Sequence, residues 1–189
     1  PMATKLIKKY EDDTLNVINE NPYLMTRSVK GFSFANADLL AKAIGIKGDS
    51  PFRIEAAFRQ VLASYSGETG DTYMLAGKLI PETYQLLVNS RPEEGQLITD
   101  ELLKNLLNEF IEDRRFYCDF DNADNNKNKI FLYSSYMNEF KIVENVIRIM
   151  DSEGYISSNA DIDSIIDEVE EEVGFSYDAI QRKAIKEAV

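Results

Sequence analysis

Apolar residues recur at helical spacing along most of the chain and alternate with polar ones in one region only, so the pattern is that of a mainly α protein with a single hairpin. The first segment predicts a helix from Ala3 to Tyr10, then a turn and a short second helix capped by Asp12 or Asp13 and stopped by Asn21-Pro22. Ser33 or Asn36 caps the next helix, where the spacing of Ala37, Leu39, Leu40, Ala41 and Ile44 marks one buried face and Gly45 ends the run. Ser50-Pro51 opens a long helix, with proline at the first helical position, and a glycine-flanked turn closes it. "MLAGKLIPETYQLLV" reads as two short helices, with Pro81 starting the second. "ITDELLKNLLNEFIEDRRF", opened by Thr99 or Asp100, carries Leu102, Leu103, Leu106, Leu107 and Phe110 on its apolar face.

Two aromatic runs, "FYCDF" and "IFLYSS", then flank the polar tip "DNADNNKNK", as a β-hairpin requires. Asp119, Asp121 and Asp124 lack the spacing, turn glycine and closing glutamate of a calcium loop, so the tip reads as a solvated one. An amphipathic helix follows in "YMNEFKIVENVIRIMDS", and an acidic one in "DIDSIIDEVEEEVG" with Ile162, Ile165, Ile166 and Val169 on its stripe. Three helices and then a hairpin is the order of a winged helix. The expected organisation is a helix-hairpin-helix region at 1–50, a winged-helix-like unit with one β-hairpin at 51–150, and an acidic linker with further helices at 151–189.

Composition narrows the chemistry. The 189 residues contain no histidine and one cysteine, Cys118, which removes histidine-based triads, cysteine-histidine dyads, the usual transition-metal sites and any internal disulfide. There is no membrane-length apolar run and no secretory-type start, so the expectation is a cytoplasmic protein with no membrane partner. A net charge of −12 opposes binding to a polyanion, but the charge is unevenly placed: residues 1–60 carry +2 and the rest −14.

The mildly basic front contains "SVKGFSFANADLLAKAIGI", a tight glycine turn between two helices. Such a turn leaves backbone N–H groups at the positive end of the second helix, where an anion can sit. A helix-hairpin-helix motif that grips DNA phosphate runs hydrophobic, any residue, Gly, hydrophobic, Gly, three residues, Ala. Val29, Gly31, Phe32 and Ala37 stand in that register, and Ser33 replaces the second glycine. The candidate phosphate-contacting set is Lys30, Gly31, Phe32, Ser33, Phe34 and Asn36, joined by Lys127 and Lys129 at the hairpin tip. The alternative at this point is a helical hairpin that only packs two helices together.

The succession "ENPY", "VKGFSFANA", "DSPFRIEAAF" and "TYM" resembles the helix-hairpin-helix region of stand-alone RecD-like DNA helicases, and "GFSYDAIQRKAIKEAV" resembles the segment just before their nucleotide-binding P-loop. On that resemblance the chain is a piece of a longer protein, with Gln181 in the place of the adenine-reading glutamine and Ala184, Ile185 and Val189 at apolar positions. No GxxxxGK[ST] run occurs in these residues, so the fragment is expected not to hydrolyse ATP. The resemblance implies a parent that unwinds DNA 5′-to-3′ with ATP and magnesium. The fragment itself would take no cofactor, and its partners would be DNA, as single strand or fork, and the rest of the motor. The rival expectation is a protein-interaction or spacer module that orients the motor.

Overall fold

The computed structural model describes residues 2–151 and 161–188, and the chain divides into two units, Pro1–Glu139 and Phe140–Val189. The first opens with α1 (Met2–Tyr10), α2 (Thr14–Glu20), the short α3 (Met25–Ser28) and α4 (Phe34–Ala43). It continues through α5 (Pro51–Thr69), β1 (Tyr73–Leu75), α6 (Ala76–Ser90), α7 (Asp100–Glu112), β2 (Phe116–Asp119) and β3 (Lys129–Leu132), and α8 (Tyr133–Asp151) follows β3 without a loop. No described helix is long and apolar enough to cross a membrane.

One core serves all of this first unit. Ile54, Ala57 and Phe58 of α5, Leu79 and Leu87 of α6, and Leu103 and Phe110 of α7 are fully buried, and Met25, Ala37 and Ala41 of the front helices join the same cluster. The antiparallel sheet has the order β1-β3-β2, pairing Met74 with Ile130 and Cys118 with Ile130 from the two sides. The order α5-β1-α6-α7-β2-β3 is that of a winged helix, and the hairpin is where the sequence places it. The strand β1, between the first two helices, is an addition to the single hairpin expected.

Three local differences from the sequence reading have physical causes. The run around Pro81 is one helix rather than two, since Leu79, Ile80, Thr83 and Leu87 are buried along it and that packing outweighs the backbone bond Pro81 cannot make. On α4 the buried face is Phe34, Ala37, Asp38 and Ala41, while Leu39 is 70% exposed; a charged residue occupies the core stripe, so a wheel drawn on hydrophobicity is turned by one position. The hairpin tip is not freely solvated. The Ala76 N–H donates to the Asn128 carbonyl at 2.8 Å, and a Cβ on Gly77 would lie 2.9 Å from Asn126 Cβ, so the tip is folded onto the start of α6. The carboxylates there cap turns: Asp121 accepts from the amides of Ala123 and Asp124, and Asp124 from that of Asn126.

Cys118 faces the core from β2 at 6% exposure, and burial, with the Asp119 charge beside it, pushes its thiol up to about 11. Only the thiolate reacts. A disulfide reagent at pH 7.5 is therefore expected to modify the folded chain slowly and the urea-unfolded chain promptly, with the native rate climbing as pH approaches 11. Prompt native reaction at pH 7.5 would contradict the burial.

The second unit holds the remainder of α8, then α9 (Ile162–Val173) and α10 (Ala179–Ala188). Ile166 is its buried anchor on α9, whereas Ile165 and Val169 are exposed. Asp161 caps α9 by accepting from the Ser164 amide, and Gly174 ends the helix at φ +67°. Arg182 of α10 pairs with Asp167 and Glu170 of α9, and Lys186 with Asp163. Ser152 and Val189, the ends of two predicted stretches, lie outside the described residues.

Candidate functional site

The turn between α3 and α4 is built from its residue types. The Phe32 N–H donates to the Val29 carbonyl at 3.0 Å, closing a four-residue turn in which Gly31 holds φ +86°. That third turn position demands a positive φ, which glycine adopts without a steric penalty, and no atom stands within 4 Å of where a Gly31 Cβ would be. The glycine is needed for conformation and not for space. Ser33 has extended backbone, φ −82° and ψ 161°, so its replacement of a glycine carries no strain.

Ser33, not Asn36, is the N-cap of α4: its Oγ accepts from the Asn36 amide at 3.2 Å. The amides of Phe34 and Ala35, in the first helical turn, have no intrahelical acceptor and lie at the positive end of the helix dipole. Lys30, Gly31, Ser33 and Asn36 are exposed around them. Phe32 and Phe34 are 6% and 4% exposed, with Phe34 against the Tyr23 ring at 5.9 Å, so they anchor the turn in the core and leave its surface to the other four residues.

Beside the turn lies a concavity of about 350 Å³, lined by Lys5, Lys8, Lys9, Ser28, Val29 and Lys30, with no acidic residue on its wall. The Lys5 ammonium donates to the Lys30 carbonyl at 3.2 Å, and Tyr10 of α1 shares a hydrogen bond with Ser28. Leu6 is buried, which fixes the face α1 presents. Among the described residues these four lysines make no ion pair, whereas Arg27 and Arg59 meet Glu55, Lys42 meets Glu93, and Arg53 meets Asp38. The positive charge of the front is thus concentrated here. Glu11, Asp12 and Asp13 follow α1 directly and bound the patch on that side.

The hairpin tip is a different environment. Lys129 is paired with Asp119 at 3.1 Å, and that hydrogen bond and charge raise its pKa. Lys127 is exposed, but Asp119, Asp121 and Asp124 precede it in the same tip, leaving the tip net negative. The exposed side of α7 carries Asp100, Glu101, Glu109 and Glu112 against Lys104 alone, and Lys104 is bound to Asp100. In the second unit, the Gln181 side-chain carbonyl accepts from the Asp178 N–H at 3.0 Å while the Asp178 carboxylate accepts from the amides of Ile180 and Gln181, a reciprocal cap for α10.

Behind the turn sits a buried charged cluster. Asp38 accepts from the Tyr23 hydroxyl at 2.6 Å and from Arg53 Nε at 2.8 Å, and lies 2.9 Å from Arg91 Nη2. Arg53 and Arg91 are 0% and 2% exposed; Arg53 also reaches the carbonyls of Gly48 and Leu87 and the Ser90 hydroxyl, and Arg91 the carbonyls of Ile46 and Asp38. Burial pushes the Asp38 carboxyl up, but the hydrogen bonds from Arg53 and Tyr23 and the two guanidinium charges outweigh it, and its pKa is lowered. Burial and the Asp38 carboxylate raise that of Tyr23. The cluster fixes α4, and with it the turn, to α5 and the end of α6.

A short helix, a glycine turn and a second helix whose first amides have no intrahelical acceptor are the parts of a helix-hairpin-helix. Residues 1–73 match the family model described as the ATP-dependent RecD2 DNA helicase HHH domain, and the amino-terminal region is a helix-hairpin-helix domain of that type.

The sequence reading found the turn and missed two features around it. Lys5, Lys8 and Lys9 at i, i+3 and i+4 fall on one helical face, a signal that the sequence itself carries. The Asp38, Arg53 and Arg91 cluster had no local signal, because its members are 15 and 38 positions apart along the chain.

Proposed function

We propose that this chain is a non-catalytic DNA-binding accessory region of an ATP-dependent, 5′-to-3′ DNA helicase of the RecD-like family, and that it touches the DNA backbone without reading sequence. The observation that carries the reading is the Gly31 turn, with the first-turn amides of α4 that lack an intrahelical acceptor and the exposed Lys30 beside them, in the segment that matches the HHH domain of RecD2 helicases. Amides and ammonium groups of this kind suit phosphate oxygens and carry no base-edge code, so the contact would be the same at every sequence. In a parent helicase of this kind ATP and magnesium would be held by residues other than these, and Gln181 would stand beside adenine. A carboxamide offers the acceptor and donor that complement the adenine amine and N7.

The winged-helix part favours a second role. With α7 acidic and the tip folded onto α6, it suits a spacer or a protein-facing surface that orients the motor better than a second grip on DNA.

Anisotropy of a labelled oligonucleotide tests the first reading. Lys30→Glu is expected to weaken binding of unrelated sequences by the same factor and to flatten the dependence of log K on log salt by about one unit or somewhat more. Undiminished affinity in that variant would take the turn out of the account.

A further inference from the structure

The four lysines around the concavity set a physical problem. Like charges gathered at one surface repel one another, and a chain with net charge −12 has carboxylates in plenty to neutralise them, yet none lines this wall. Arg27, Lys42, Arg53 and Arg59 of the front each meet a carboxylate, and among the described residues the front cations without one are these four lysines and Lys47, so unpaired charge gathers at this wall. The spacing supplies the arrangement: Lys5 and Lys9 are one turn apart, Lys8 lies between them, and Leu6 is buried to hold that face outward. Lys5 then ties the face to the turn by its bond to the Lys30 carbonyl.

We propose that the α1 lysine face is a second phosphate-contacting element, continuous with the Gly31 turn, which takes further phosphates of the same nucleic-acid strand. It rests on the reading of the turn as a phosphate grip and extends it: the turn holds one phosphate with backbone amides and Lys30, and Lys8 and Lys9 hold its neighbours with ammonium groups alone. The two halves differ in kind. Amides at a helix end impose an orientation on the phosphate, whereas flexible lysines follow a strand of any conformation, so the α1 face adds affinity and footprint without adding discrimination. Lys5 is the positioning residue between them, since its ammonium is held by the turn.

The experiment is a salt titration of oligonucleotide binding by the whole chain, comparing the parent with the double variant Lys8→Gln, Lys9→Gln, with Lys30→Glu, and with Lys47→Gln. Lys47 is an exposed front lysine off the concavity and controls for net charge. Both α1 positions are exposed, so the double variant should melt with the parent. It is expected to lower the salt slope by about 1.4 to 1.8, at about 0.7 to 0.9 per phosphate contact, and to lose roughly tenfold in affinity at low salt. An unchanged slope with Lys30→Glu still damaging overturns the α1 element and leaves the turn standing. If neither variant loses affinity, the reading of the turn falls as well. A Lys47→Gln loss as large per charge as that of the double variant would reduce the effect to net charge and overturn the placement.

Discussion

Replacing Asp38 by alanine is expected to lower the stability of the first unit by about 3 to 5 kcal/mol, the cost of leaving buried charge without its counter-ion. Asp38 is 4% exposed and is the carboxylate shared by two guanidiniums that are themselves out of water. Its loss leaves Arg53 and Arg91 facing each other, with Glu94 to meet Arg91 at 3.3 Å but no carboxylate for Arg53. A domain has about 5 to 15 kcal/mol in total, so the variant would sit near the edge of folding. Urea unfolding followed by far-UV circular dichroism reads the change, and a loss below about 1 kcal/mol would mean that the cluster is hydrated rather than buried. The pH dependence follows the lowered pKa of Asp38. Its stabilisation is fully present above the unfolded carboxylate value near 3.9 and disappears as pH falls through the lower folded value. The parent should therefore lose stability in that acid range through a step that the alanine variant lacks.

Phe116→Ala is expected to cost a further comparable amount, about 3 to 5 kcal/mol, by a different route. Phe116 is 1% exposed and stands where β2 meets both long helices, with Phe58 of α5 at 6.1 Å edge-on and Phe110 of α7 at 6.2 Å. The Arg59 guanidinium lies 5.0 Å over its ring. Truncation opens a cavity among groups held by three separate elements, so none can close it by moving alone. Chemical unfolding measures the loss, and the fraction still folded should bind DNA as the parent does, because the turn and α1 lie elsewhere. A loss of DNA affinity in folded Phe116→Ala would show that the winged-helix part contributes to binding.

How far the sequence discloses this structure depends on how far apart the determining residues lie. The helices from Pro51 and Asp100 are legible because their signals are local: Ser50-Pro51 starts one, and Thr99 caps the other by accepting from the Leu102 amide. The Gly31 turn is legible for the same reason. The strand β1 is not, since three residues acquire strand character only by pairing with β3, Tyr73 opposite Phe131. Asp38 defeats a hydrophobicity rule because its place in the core depends on arginines that the rule cannot see. Phe32 and Phe34 show the limit of reading a site from a motif, as the motif names the residues of the turn without telling which of them face outward.

The buried cluster also bears on modularity. The family match stops at Tyr73, but the guanidinium of Arg91 and the acceptors Leu87 and Ser90 that complete the charge balance around Asp38 come later in the chain. A hairpin domain transplanted at the match boundary would carry Asp38 and Arg53 into its new host with half their partners left behind. The portable unit is the longer one that includes the end of α6, and the stretch that defines kinship is shorter than the stretch that folds.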